Sequence, residues 1–200
     1  MAKGAARAVT GRGWLRIVGG AWRGRKIPVP AGPPLRPTAE RAREAIFNRL
    51  IHAEAALGVR LRGARIADLF AGTGALGLEA LSRGAGAAVF VERDAAAVRA
   101  LRDALRTLGA EDRGDVLQAD AAALPPAPHP VDIVLMDPPY GEPVLTPTLR
   151  ALTARGWVGP GALIVAELEA GGALELPAGF GLIDRRRYGR AEIAFITVSA

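Results

Sequence analysis

The chain has 200 residues, half of them hydrophobic, which is enough for one α/β domain with a modest appendage. It contains no cysteine, so disulfides, thiolate metal sites and a cysteine nucleophile are excluded. The net charge of +6 sits at one end: residues 1–39 carry eight basic side chains and no acid, while the rest, with 18 basic and 20 acidic residues, sums to −2. Such a basic arm, with Trp14 and Trp22 among its arginines, suits a polyanion, because phosphates supply affinity independent of sequence and indoles stack on bases. The start of the chain has no apolar signal core, and no run approaches the roughly 18 apolar residues of a membrane span; a cytoplasmic protein without membrane association is expected.

Residues 1–13 are small, basic and glycine-rich and read as a disordered tail. Trp14–Val18 and Arg25–Val29 are short β-leaning runs that make a hairpin around Gly19-Gly20. Pro30–Pro37, with four prolines, is a linker. Thr38 is placed to cap a helix reaching Ile51, with Ala42, Ile46 and Leu50 on one stripe and Arg41, Arg43, Glu44 and Arg49 away from it. Residues 14–52 thus form an extension ahead of a main domain, 53–200.

In that domain strand and helix patterns alternate, the signature of βαβ units and a parallel sheet. Strands are predicted at Ala64–Phe70, Ala87–Val91, Val116–Ala119, Asp132–Met136 and Ala162–Glu167. Helices are predicted at Ala75–Ser82, from an Asp94 cap to a Gly109 stop, and at Thr146–Arg155. Phe180–Arg187 and Ala191–Val198 close the chain as an antiparallel hairpin, and residues 123–130 form a loop.

The first of these strands runs into Phe70-Ala71-Gly72-Thr73-Gly74-Ala75-Leu76-Gly77, a G-x-G-x-x-G match whose glycines let a ligand approach the backbone. With Glu92 about 20 residues on to grip a ribose, the match fits a nicotinamide dinucleotide and S-adenosylmethionine equally well. Asp68 separates them: a carboxylate beside the loop repels a pyrophosphate but suits a ligand carrying an ammonium and a sulfonium. Asp68, Glu92, Asp120 and Asp137 stand at the ends of four strands, where open α/β sheets bind ligands. The natural division gives Glu92 the ribose hydroxyls, Asp120 an adenine amino group and Asp137 the substrate, although Asp120 reads as well as a turn-capping aspartate.

Asp137-Pro138-Pro139-Tyr140 ends a buried strand in a stiff turn that has lost two backbone donors. An acid and a backbone carbonyl beside an aromatic face make a clamp for an exocyclic amine, as methylation of a nucleobase amine requires. Together with Asp68-Leu69-Phe70-Ala71-Gly72-Thr73-Gly74, this clamp resembles the class I S-adenosylmethionine-dependent amino-methyltransferases. More narrowly, Arg16-Ile17-Val18-Gly19-Gly20, Trp22-Arg23-Gly24-Arg25-Lys26, Leu35-Arg36-Pro37-Thr38, Arg43-Glu44-Ala45-Ile46-Phe47-Asn48 and Gly74-Ala75-Leu76-Gly77-Leu78-Glu79-Ala80-Leu81-Ser82-Arg83 are similar to the bacterial 16S rRNA guanine-N2 methyltransferases that modify guanine 966. The likeness spans roughly residues 15–195.

The resemblance implies an α/β, Rossmann-like class I methyltransferase fold: a seven-stranded mixed sheet with an antiparallel last strand, preceded by a small β-hairpin. It implies S-adenosylmethionine bound by Asp68, Phe70, Gly72, Gly74, Glu92 and Asp120, and catalysis at Asp137, Pro138, Pro139 and Tyr140. RNA contacts are expected from Arg16, Arg23, Arg25, Lys26, Arg36, Thr38 and Arg43, with Arg36 or Arg43 near the cofactor mouth. The substrate implied is 16S rRNA in 30S particles or their assembly intermediates, met by a monomer that needs no metal. A DNA adenine or cytosine amino-methyltransferase would use the same clamp, but 200 residues leave no room for a large target-recognition insertion. A catalytically silent RNA-binding assembly factor would not need the clamp, and a nicotinamide-dependent reductase is disfavoured by Asp68.

Overall fold

A computed structural model describes residues 13–29, 37–139, 143–172 and 174–199, without the side chains of 37–39. The expected tail up to residue 12, the linker residues 30–36 with Arg36, and Tyr140 lie outside the described residues. So does the side chain of Thr38. Gly13 is not part of the tail, since it pairs with Val29 in the hairpin.

Two short strands, β1 (Gly13–Arg16) and β2 (Lys26–Val29), form that hairpin, and α1 (Pro37–His52) follows. Thr38 lies inside α1 rather than capping it, because Pro37 already occupies a helical position that needs no N–H. A four-residue helix not foreseen, α2 (Glu54–Leu57), leads to β3 (Arg65–Leu69), α3 (Ala75–Ser82), β4 (Ala87–Glu92), α4 (Ala95–Leu108) and β5 (Gly114–Gln118). Then come β6 (Ile133–Met136), α5 (Leu145–Ala154), β7 (Leu163–Glu169), β8 (Phe180–Tyr188) and β9 (Ala191–Val198). The seven strands from β3 onward lie in the order β5-β4-β3-β6-β7-β9-β8. β3 to β7 are mutually parallel, and β9 runs antiparallel to both its neighbours, the expected antiparallel last strand.

Parallel strands covered on both faces read as continuous apolar runs, and Ile133–Met136 is buried at every position. Alternate residues feed two cores. Ile66, Phe90, Leu135 and Phe195 face the hairpin, α1, α3 and α4, while Leu69, Val134, Met136 and Ile164 face α5 and Trp157. Helix α4 has the local signals expected of it: Asp94 accepts from Ala97 N–H at its start, and Gly109 ends it at φ 64°. β5 begins two residues before the predicted strand, at Gly114, where Leu105 of α4 packs against the sheet and a Cβ would collide with it.

The hairpin is not a loose arm. Leu15, Ile17, Trp22, Ile27 and Val29 point into the core, while Arg16, Arg23, Arg25 and Lys26 point out. An isolated two-stranded hairpin is marginal in water, but burying each such side chain contributes about 1.5–3 kcal/mol. Docking is completed by α3. Ser82 Oγ donates to Gly19 O at 2.6 Å and accepts from Trp22 N–H at 2.9 Å. Gly20 has φ 77°, and any Cβ there would run into the Ser82 carbonyl.

Candidate active site

The turn after β3 is built from unusual backbone. Phe70 has φ 57°, rare for a residue with a side chain, and Gly72 and Gly74 follow at 52° and 74°. The turn is held from three sides. Ala71 N–H donates to Val91 O at 3.1 Å, Gly72 N–H to Glu92 Oε2 at 2.7 Å, and Gly77 N–H to Asp68 Oδ2 at 2.8 Å. A Cβ on Gly77 would strike the Phe90 ring, so the last glycine of the motif serves helix-on-sheet packing. Gly72 has open space at its missing Cβ, with only Phe70 O at 3.9 Å, which leaves its backbone approachable.

Each predicted strand-end acid lies at the carboxyl edge of the sheet. Glu92 uses both oxygens, accepting from Gly72 and, through Oε1 at 2.8 Å, from Asp94 N–H. Asp120 Oδ1 accepts from Ala122 N–H at 2.9 Å, so it caps the short 3₁₀ turn Ala121–Ala123 as well as facing the crevice. Asp68 is 2% exposed, and its charge differs from the sequence expectation. Burial pushes its carboxyl up to about 8 against the opposing Gly77 hydrogen bond, with Asp137 and Glu92 adding to the rise, so near neutral pH the protonated form is favoured.

Two cavities open along this edge. One of about 180 Å³ is lined by Arg43, Asp68, Gly72, Thr73, Asp137 and Glu167 among others. The second, about 260 Å³, has Glu92, Arg93, Asp120, Pro139 and Val144 in its wall. Phe70 and Asp137 belong to both, so the acid of the proline clamp stands where the two spaces meet. Burial, and after it the neighbouring Glu167, raises the Asp137 carboxyl to about 7. Glu167 was missed by sequence reasoning, although the same signal, an acid ending a predicted strand, was available. Pairing of Met136 with Ala166 puts the residues that follow each of them side by side.

The predicted RNA contacts divide. Arg23 and Lys26 are exposed, and Arg25 is exposed while tying the hairpin to α4 through Thr107 O at 2.8 Å. Arg16 is exposed but paired with Glu40 at 2.7 Å. Arg16, Arg23 and Arg41 line an outer groove of about 430 Å³ that also holds Glu40 and Glu44. Arg43 is no phosphate contact: it is 4% exposed, donates from Nη2 to Arg16 O at 2.7 Å and sets Nε 3.5 Å from Glu79 Oε2. It stands in the wall of the smaller cavity. Trp22 cannot stack on a base, since it is buried with Arg113 5.4 Å over its ring, whereas Trp14 is 54% exposed. Among the described residues no group of three or more acids or histidines could hold a metal ion, and no helix is long and apolar enough to cross a membrane.

Residues 15–197 match the protein family described as Conserved hypothetical protein 95. The chain belongs to this family. A curated relative, the ribosomal RNA small subunit methyltransferase D of Escherichia coli, is 41% identical over 174 residues, covering 86% of this chain and 84% of that protein. The solved yhhF structure of Escherichia coli superposes with a TM-score of 0.78 at 38% identity, over 94% of this chain and 99% of that one. The Thermus thermophilus 16S rRNA N2 G1207 methyltransferase RsmC, solved with AdoMet and guanosine, has a TM-score of 0.63 over 95% of this chain and 50% of its own; at 21% identity it shows the shared class I fold. Family membership agrees with the segments that carried the resemblance, and three of them, Arg16–Gly20, Arg43–Asn48 and Gly74–Arg83, meet around Glu79 and Ser82.

Proposed function

We propose that the chain is an S-adenosylmethionine-dependent rRNA methyltransferase that methylates the exocyclic N2 of a guanine in 16S RNA of the small ribosomal subunit. The observation that carries this reading is Asp137, which stands at the junction of two adjoining cavities at the head of a proline-stiffened turn. Support comes from the 41% identical relative, whose name assigns it to small-subunit ribosomal RNA.

The donor set fits the cofactor. Glu92 and Asp120 flank the larger cavity as acceptors for hydroxyl and amino groups, Gly72 admits close approach, and the acids of the smaller cavity suit an ammonium and a sulfonium. Bound S-adenosylmethionine supplies a methyl group activated by its sulfonium. Guanine N2 is a weak nucleophile because its lone pair is delocalised into the ring. The Asp137 carboxylate and the Pro138 carbonyl accept its two N–H groups, aim the lone pair and offset the positive charge that develops on nitrogen. Pro138 and Pro139 have no N–H, so the turn presents acceptors without competing donors. Asp137 is then the base best placed for the proton that nitrogen loses. Tyr140 supplies the aromatic face, and a base read this way must be unpaired or turned out of its helix.

The outward face of the hairpin, with Trp14, Arg23, Arg25 and Lys26, together with Arg36 and Thr38, holds the RNA backbone over the crevice. The chain acts as a monomer in the cytoplasm on 30S particles or their assembly intermediates. Tritiated methyl incorporation should favour 30S particles or 16S rRNA over duplex DNA; preference for duplex DNA would replace the reading with a DNA amino-methyltransferase. Asp137→Ala should keep cofactor affinity by calorimetry and lose transfer by at least about a hundredfold. Full transfer by this variant would remove Asp137 from the mechanism.

A further inference from the structure

The hairpin of β8 and β9 holds a second basic surface, hidden in the charge total because acids elsewhere in the main domain outweigh it. Residues 184–192 contain four arginines and two acids. Both acids are engaged. Asp184 Oδ2 holds Arg186 Nε at 2.8 Å and Arg49 Nη2 at 3.1 Å, while Glu192 holds Arg185 Nε at 2.6 Å and accepts from Gly171 N–H at 3.2 Å. Arg187 and Arg190 are exposed and form no ion pair among the described residues; Arg187 Nε donates to Gly189 O at 3.1 Å, inside its own turn. Glu169, which ends β7 beside this turn, pairs with neither.

Strand register sets this surface beside the clamp. Met136 pairs with Ala166, Ala166 with Ala194 and Ala194 with Arg185, so the next row runs Asp137, Glu167, Ile193, Arg186. Three strand spacings, about 14 Å, separate the ends of that row, and the turn closed by Tyr188 and Ala191 stands two rows higher, about 7 Å. The turn is stiff: Ala170 N–H donates to Arg190 O at 2.9 Å, and Arg185 Nη2 donates to Gly172 O at 2.7 Å. β6 is the middle strand of the seven, with this hairpin to one side and β3, β4 and β5 to the other. The N-terminal hairpin belongs to that other side, tied to the far ends of α3 and α4 through Ser82 and Thr107. We propose that Arg187 and Arg190 bind backbone phosphates of the RNA flanking the target guanine, on the side of the clamp away from the N-terminal hairpin; this rests on the RNA reading above. Arginine meets a phosphate through two parallel N–H bonds, and neither of these two must first leave a carboxylate. Cations on both sides of β6 straddle the nucleotide in the clamp and steady a base that has left its helix.

Filter binding of 16S rRNA across a salt series tests this on wild type, on Arg187→Ala with Arg190→Ala, and on a matched control. The control, Arg60→Ala with Arg62→Ala, removes two exposed arginines from the segment before β3, at the opposite edge of the sheet. Each phosphate contact contributes about 0.7–0.9 to the slope of log affinity against log salt, so losing both should flatten the slope by roughly 1.5 and weaken binding about tenfold near 0.1 M salt. The KM for RNA should rise, and affinity for S-adenosylmethionine by calorimetry should match wild type. Lysine at both positions should keep the slope, and so should the control. A slope unchanged in the alanine variant, or flattened equally by the control, would overturn the surface while RNA methylation by wild type left the proposed function standing. A wild type that neither binds nor methylates RNA would refute the RNA reading, and this surface with it.

Discussion

Replacing Glu79 by alanine should destabilise the fold more than any surface ion pair can. The carboxylate is fully buried, accepts from Val18 N–H at 2.9 Å and Arg83 Nε at 2.8 Å, and stands 3.5 Å from Arg43 Nε. The three partners belong to the segment after β1, to α3 and to α1, so one side chain joins three elements. The substitution leaves two guanidiniums whose side chains are only 5% and 9% exposed. Breaking a buried pair from one side costs about 3–5 kcal/mol, and an orphaned buried amide adds about 1–3 kcal/mol. These effects overlap, so a total loss of roughly 4–6 kcal/mol is expected. At about 2–4 °C of Tm per kcal/mol for a chain of this size, melting should fall by roughly 10–20 °C. Asp103→Ala is the control: its pair with Arg106 is 71% and 65% exposed, and its removal should change stability by less than about 1 kcal/mol. Urea unfolding of the two variants beside wild type reads both numbers. A Glu79→Ala loss below about 1 kcal/mol would refute the reasoning, because it would mean the two arginines reach water without disturbing the core.

Three further outcomes are expected. Because burial raises Asp68 to about 8, the folded chain holds a proton there that the unfolded chain releases near pH 4. Stability should therefore fall as pH rises from about 4 to 8, and Asp68→Asn, which keeps an acceptor for Gly77, should flatten that slope in urea unfolding; an unchanged slope would contradict the buried proton. Asp137, raised to about 7 by burial and then by Glu167, offsets positive charge on the amine and can take its proton only when ionised, so single-turnover transfer should climb through pH 7. Glu167→Gln removes the like charge and should move that limb to lower pH, with Asp68 and Arg43 as the other titratable and charged groups on the same cavity; a limb that stays in place would exclude the coupling. Trp14→Ala should weaken RNA binding by about 1–3 kcal/mol in a filter-binding assay with little change in Tm, and Trp22→Ala should cost about 3–5 kcal/mol in stability; the reverse pattern would overturn the assignment of the hairpin's two faces.

Most of the sheet was legible because its signals are local. Apolar runs between turn residues placed the strands within two residues of their observed starts, and Asp94 and Gly109 marked the ends of α4. The crevice was legible for the same reason, since acids at strand ends point to one edge once the strands are parallel. What escaped was set by partners distant in sequence. Arg43 reads as a solvated helix residue beside the stripe Ala42, Ile46 and Leu50, yet it shares a buried face with Phe47 and Leu50, and the acid that makes this tolerable lies 36 positions on in α3. Trp22 reads as a free indole in a basic, glycine-rich segment, and only the Gly19–Gly20 approach to Ser82 brings it into the core. Asp68 was placed correctly, but its protonation follows from depth of burial, which strand-end position does not reveal.

These long-range contacts alter what the basic N-terminal segment is for. A flexible arm carrying Arg16, Arg23, Arg25 and Lys26 would add affinity for any polyanion and lose conformational entropy on every encounter. A hairpin bolted to α3 through Ser82 and Glu79 has already met that cost in folding, and it presents its cations at a fixed distance from the loop that opens the same helix. α3 begins at Ala75, in the wall of the smaller cavity, and ends at Ser82 under the hairpin, about two turns away. If the hairpin seats RNA as proposed, the RNA and the cavity are joined through one short helix. On the proposed function, α3 holds the basic face in register with the Asp137 clamp, and the choice of substrate would lie in that register more than in any one arginine.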